Sequence, residues 1–101
     1  MTQKTHPCRV YWTPRESGGR DEPFAGVWYS TSAKFPEQTD WQVDGWSVVL
    51  EFDTPPSEQE NPSMGKARFL VEDAPADWLF PGQAFEMYEG RRMTAQVEIT
   101  A

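Results

Sequence analysis

Thiol and imidazole side chains are nearly absent from this chain. Its 101 residues include one cysteine, Cys8, and one histidine, His6. A single cysteine cannot form an internal disulfide, and its scarcity is typical of proteins of the reducing cytoplasm. Any catalytic triad would depend on His6, and a zinc site would have two candidate ligands where structural sites use four. We therefore expect no metal, no cofactor and no enzymatic activity.

Long apolar runs are missing as well. No run approaches the roughly 20 residues that a membrane helix needs. The opening residues, MTQKTHPCRV, contain no apolar stretch of the kind found in secretory signals. We expect a cytoplasmic protein without a membrane partner. Its length is that of one domain, residues 1–101, with residues 1–7 predicted to form a flexible tail.

Basic residues are the third scarcity. Nine lysines and arginines face sixteen acids, giving a net charge of −7. Residues 37–60 contain seven acids and no base, and residues 72–89 contain five acids and no base. Nucleic-acid binding draws most of its affinity from neutralised phosphates, so both stretches would repel RNA or DNA. The acids also fit the simpler role of keeping a small protein soluble.

Prolines and glycines are frequent, with nine and seven copies, and they interrupt the chain too often for long helices. Between them, apolar and polar residues alternate with the period of two that is typical of strands with one solvated face. The predicted strands are residues 8–13, 26–35, 46–53, 67–73, 84–90 and 93–100. Six or seven short strands with such spacing predict an all-β sandwich or barrel.

The connections between these strands have recognisable turn chemistry. Asp44-Gly45 and Glu89-Gly90-Arg91 are hairpin signals. Residues 53–65 are predicted to be one long polar loop, and residues 74–82 to hold a single helical turn. In Gly18-Gly19, the missing Lys-Ser and the missing helix exclude a phosphate-binding loop. We interpret that pair as part of a strand-to-strand loop, in which both glycines supply positive φ.

Three motifs resemble the third, C-terminal domain of elongation factor Tu. Residues 10–24, VYWTPRESGGRDEPF, are similar to its first strand and the loop that follows. Residues 42–56, QVDGWSVVLEFDTPP, resemble its central strand, and residues 85–99, FEMYEGRRMTAQVEI, resemble its last hairpin. The motifs occur in the same order and span nearly the whole chain, although residues 66–82 look inserted. The resemblance implies a single six- to seven-stranded antiparallel barrel of the translation-factor C-terminal type.

The resemblance also implies candidate binding residues. In the factor, this domain helps to hold the T-stem of aminoacyl-tRNA near the Gly-Gly-Arg loop and the final Glu-Gly turn. The matching positions in this chain are Gly19, Arg20, Glu89, Gly90 and Arg92. Together with the neighbouring Arg15 and Arg91, they form a candidate partner-binding set. The chain has no GTPase motif, so the nucleotide chemistry of the factor does not carry over.

Three functions follow from these observations. The first is a non-catalytic interaction module that binds another protein. The second is a translation accessory that binds tRNA or RNA through the Arg20 and Arg92 loops. The third is an enzyme that uses His6 or the carboxylates of Glu51 and Asp53, whose i, i+2 spacing places them on one strand face. We favour the first and expect a monomer or a weak dimer, since the edge strands of an incomplete barrel invite pairing.

Overall fold

The protein forms a small all-β structure. A computed structural model describes residues 4–19, 24–38 and 45–101. Its strands are β1 (His6–Trp12), β2 (Trp28–Lys34), β3 (Trp46–Glu51), β4 (Ser63–Phe69), β5 (Ala84–Glu89) and β6 (Arg92–Ile99). Short 3-10 helices at Arg15–Ser17, Pro56–Glu58 and Ala76–Trp78 lie in the connections. The last of these confirms the helical turn that was predicted within residues 74–82.

The six strands close into one barrel. Their order around it is β1-β4-β3-β2-β5-β6, and all six neighbouring pairs are antiparallel. This arrangement confirms the predicted antiparallel barrel and decides between a barrel and a sandwich. Since the strands close on themselves, no strand in the described part of the chain is a free edge of the kind that would pair two copies. The premise of an incomplete barrel is therefore wrong, and the monomer or weak dimer stays a prediction.

The barrel interior is filled by the inward-facing residues of every strand. Aromatic rings occupy much of it, because few residues of that size suffice to fill a small core. Phe35 is almost fully buried and lies against three other rings. The ring centroids are 4.5 Å from Phe85, 5.3 Å from Trp78 and 5.5 Å from Phe69. These contacts connect the strands to the connection between β4 and β5.

The fourth strand begins and ends earlier than the sequence predicted. The prediction was residues 67–73 with Val71 facing inward, after a loop over residues 53–65. Instead β4 is Ser63–Phe69, and Val71 is exposed. The side-chain amide of Gln59 explains the early start, since it accepts a hydrogen bond from the Met64 backbone N–H at 2.8 Å and donates one to the Met64 carbonyl at 3.2 Å.

Glycine at position 65 has a steric cause. A Cβ at this position would lie 2.8 Å from the carbonyl oxygen of Glu51 and 2.8 Å from the ring of Phe52. β3 and β4 therefore approach too closely here for any side chain. A glycine within a strand often marks such an approach, although it also weakens the strand pattern in the sequence.

The first strand also starts earlier than predicted. His6 and Pro7, which were assigned to the flexible tail, pair with Ala67 and Lys66 of β4. The Thr100 N–H donates a hydrogen bond of 2.9 Å to the Pro7 carbonyl. Two residues of the predicted tail therefore belong to β1, and residues 1–3 lie outside the described residues.

His6, at the start of β1, has a lowered pKa. Desolvation is the main cause, and the positive charge of Lys4 adds to it.

The turn between β5 and β6 confirms its prediction. Gly90 has a φ of +64° at the first position of a two-residue connection, where a hairpin turn of this kind favours glycine. The other predicted hairpin signal is Asp44-Gly45, and its Asp44 lies outside the described residues. Within the described ranges, no helix has the length and apolar character to cross a membrane.

Candidate functional site

The described members of the predicted binding set lie at one end of the barrel. Because the strands are antiparallel, the connections β1–β2, β3–β4 and β5–β6 share the end at which Trp12 closes β1. We call it the Trp12 end. It brings the Gly18-Gly19 loop and the Glu89-Gly90 turn to the same side of the molecule. At this end the Thr13 N–H, directly after β1, donates a 2.9 Å hydrogen bond to the carbonyl of Thr94 in β6.

The loop after β1 is compact. Arg15 begins its 3-10 helix, and the Gly19 N–H donates a 2.9 Å hydrogen bond to the Pro14 carbonyl. Gly18 has a φ of +93°, as predicted, but Gly19 does not have positive φ. Glycine is required at position 19 because there is no room for a side chain, since a Cβ would lie 1.8 Å from the Thr13 carbonyl oxygen. Arg20 lies outside the described residues.

The turn between β5 and β6 ties its own charges together. Arg92 Nη2 lies 3.3 Å from Glu89 Oε1, and the other oxygen of Glu89 accepts a 2.7 Å hydrogen bond from the Tyr29 hydroxyl. The Tyr29 hydroxyl is also 2.7 Å from the hydroxyl of Thr94. Glu89 thus links the turn to β2 and partly offsets the charge of Arg92, one of the four arginines in the candidate partner-binding set.

Aromatic rings pack together at the Trp12 end. Trp12 lies 5.2 Å from Tyr29, 6.2 Å from Phe24 and 6.2 Å from Phe52, measured between ring centroids. The Trp12 indole N–H donates a 3.0 Å hydrogen bond to the Ser63 hydroxyl. These contacts hold together the strand ends that the loops connect.

An open groove crosses the outer face of the barrel next to this cluster. Its volume is about 700 Å³. We call it the Trp28 groove, and its lining is Val27, Trp28, Glu51, Phe52, Asp53, Thr54, Glu58, Gln59, Met64, Gly65 and Lys66. Three apolar side chains in it are about half exposed, namely Val27 at 50%, Trp28 at 52% and Met64 at 50%. Single exposed apolar residues are common on protein surfaces, whereas several in one groove often mark an interaction site.

The register of three strands creates this groove. Trp28 on β2 pairs with Glu51 on β3, which pairs with Lys66 on β4, so the three residues form one row across the sheet. The Phe52 N–H donates a 2.9 Å hydrogen bond to the Val27 carbonyl and holds Val27 beside this row. The Gln59 contact with Met64 forms the opposite side.

Acidic side chains surround the apolar part of the groove. Glu51 accepts a 2.7 Å hydrogen bond from Nε of Arg68, which partly offsets its charge. Asp53 and Glu58 are exposed, and neither makes an ion pair within the described part of the chain. The carboxylates of Glu51 and Asp53, which were candidates for acid–base chemistry, thus lie beside exposed apolar surface.

The remaining reactive groups are dispersed. Burial raises the pKa of the Cys8 thiol to about 12, so the thiol stays protonated in the barrel. Across residues 4–19, 24–38 and 45–101, no three histidine, cysteine or acidic side chains are grouped to hold a metal ion. A second groove of about 360 Å³ lies over β6 and β5 near Tyr11. Its rim includes Glu98, which pairs with Arg9 at 3.1 Å.

The sequence did not identify the Trp28 groove. Of its lining residues, only Glu51 and Asp53 had been considered, and for a different chemistry. The available signal was the large number of aromatic residues, of which some would have to remain exposed. No family model matches this chain, and a comparison with curated proteins finds no match. The resemblance to the third domain of elongation factor Tu therefore stays a prediction that depends on its three motifs.

Proposed function

We propose that this chain is a non-catalytic interaction module that binds another protein through the Trp28 groove. The exposure of Val27, Trp28 and Met64 along one groove carries the proposal. Exposed apolar surface with a polar rim marks protein interaction sites, and tryptophan is enriched among the residues that dominate binding energy. The rim here is supplied by Asp53, Glu58 and their neighbours.

The groove is well suited to binding because its walls are held by the fold. Trp28 and Met64 belong to paired strands, and Gln59 fixes the loop next to Met64 through both ends of its amide. The ion pair between Arg68 and Glu51 orients a further wall residue. A surface that is already ordered loses little conformational entropy on association, so more of the contact energy contributes to affinity.

The resemblance to the third domain of elongation factor Tu supports an interaction role by analogy, because that domain works through its interfaces. The RNA-binding alternative through Arg20 and Arg92 remains a prediction. The net charge of −7 weighs against it, as does the ion pair that joins Arg92 to Glu89. We therefore place the partner surface at the groove.

Site-specific photo-cross-linking tests the proposal. A photoreactive amino acid at position 64 is expected to give a discrete protein adduct in extracts of the source cells, because Met64 faces the groove. Excess unlabelled chain should suppress this adduct, whereas the Trp28→Ala chain should suppress it poorly. The matched control is the same group at position 80, since Phe80 is comparably exposed at 45% but lies between β4 and β5 at the other end.

Two results would contradict the proposal. One is an adduct from position 80 with none from position 64. The other is an adduct from position 64 that the Trp28→Ala chain suppresses as well as the unmodified chain does.

A further inference from the structure

We propose that the occupant of the Trp28 groove is a peptide segment of a partner protein, with a lysine or arginine next to an apolar side chain. This inference depends on the proposed function, because it names the chemistry that the same groove recognises. It follows from the combination of exposed apolar residues and unpaired acids in one groove.

The apolar side of the groove favours two groups on the bound peptide, an apolar side chain and a cation next to it. Trp28 is the largest exposed side chain there, and an indole face binds ammonium and guanidinium groups better than other rings do. Met64 is flexible and polarisable, so it adapts to apolar side chains of different shapes. Val27 completes the apolar surface beside Trp28.

The acidic side of the groove selects positive charge. The lining contains three acids, Glu51, Asp53 and Glu58, and one base, Lys66. Arg68 partly offsets Glu51, but Asp53 and Glu58 have no counter-ion within the described residues. The whole chain adds a net charge of −7, which attracts a basic segment from a distance and repels an acidic one.

Other occupants fit this chemistry less well. A second copy of the chain would bring the same acids face to face, because a two-fold contact places identical surfaces against each other. A nucleic acid would bring phosphates against Asp53 and Glu58. A basic peptide complements both halves of the groove.

Selection from a displayed library of random 12-residue peptides, with the whole chain as bait, tests this inference. We expect the enriched peptides to carry lysine or arginine adjacent to leucine, isoleucine, methionine or an aromatic residue. The affinity of the most enriched synthetic peptide should fall about tenfold with Trp28→Ala. It should fall about threefold with the double variant Asp53→Asn/Glu58→Gln, and less at high salt.

The chain offers matched controls for both variants. Glu72→Gln/Asp77→Asn removes the same two charges from the connection between β4 and β5, and Phe80→Ala removes a comparably exposed ring there. Both controls should keep the affinity within about twofold, because Glu72, Asp77 and Phe80 do not line the groove.

Several outcomes would overturn the inference. They are enrichment of acidic or neutral peptides, no enrichment at all, and equal affinities for the two double variants. A dimer in light scattering that Trp28→Ala dissociates would identify a second copy as the occupant. If one of the peptide results accompanies a Trp28-dependent adduct of position 64 with a different protein, only the peptide chemistry is wrong. If that adduct is also missing, the proposed function fails with it. A second copy as the occupant would contradict the proposed function as well.

Discussion

Replacement of Phe35 by alanine is expected to lower the free energy of unfolding by about 3–5 kcal/mol. The side chain is 1% exposed and contacts Phe69, Trp78 and Phe85. Its removal leaves a cavity between the strands and the connection from β4 to β5, and paired backbones prevent the walls from closing it. A small domain has only about 5–15 kcal/mol in total, so much of the population would unfold on mild heating.

Urea denaturation followed by tryptophan fluorescence measures this effect. Phe35→Leu keeps most of the volume and should cost roughly 1 kcal/mol. Phe80→Ala is the surface control, and with a half-exposed ring it should also cost at most about 1 kcal/mol. If Phe35→Ala is no more destabilising than Phe80→Ala, Phe35 does not pack in the core as described.

Gly19→Ala is expected to destabilise the chain by about 3 kcal/mol, because the new methyl group cannot be accommodated. It would lie 1.8 Å from the carbonyl oxygen and 2.6 Å from the carbonyl carbon of Thr13, which are both backbone atoms. The loop after β1 would have to open, with loss of the hydrogen bond from the Gly19 N–H to Pro14.

Gly18→Ala is the matched control for this substitution. Its Cβ would meet no atom within 4 Å, but its φ of +93° is unfavourable for alanine. The cost should therefore be about 1 kcal/mol. Equal losses for the two variants in thermal unfolding would show that space at Gly19 is not limiting.

The strands that a sequence predicts best are those with strict alternation and clear ends. β6 was predicted within one residue at each end, because Met93, Ala95, Val97 and Ile99 alternate with polar residues and Gly90 marks the start. β4 was misplaced by four residues. Its first residues, Ser63 to Gly65, lack strand-forming side chains and are held by pairing with β1 and by Gln59. Such long-range contacts leave no local signal.

The candidate site depended even more on tertiary contacts. Trp12 and Trp28 both lie in strands rich in aromatic residues. The hydrogen bond from Trp12 to Ser63 and the neighbouring rings hold Trp12 against the core, whereas the register of β2 turns Trp28 outward. The two tryptophans therefore differ in exposure, although the sequence around each of them is similarly rich in aromatic residues. By contrast, the Gly19 loop and the Gly90 turn, which only the resemblance had grouped, lie at the same end because all neighbouring strands of the closed barrel are antiparallel.

The most direct test of the groove as the partner surface is an NMR titration of the isotope-labelled chain with the most enriched basic peptide. We expect the indole N–H signal of Trp28 and the backbone signals of Met64 and Gly65 to move together, while the backbone signal of Phe80 stays in place. Shifts centred on Gly90, Arg91 and Arg92, with the Trp28 signal unchanged, would contradict this expectation and place the partner at the turn between β5 and β6.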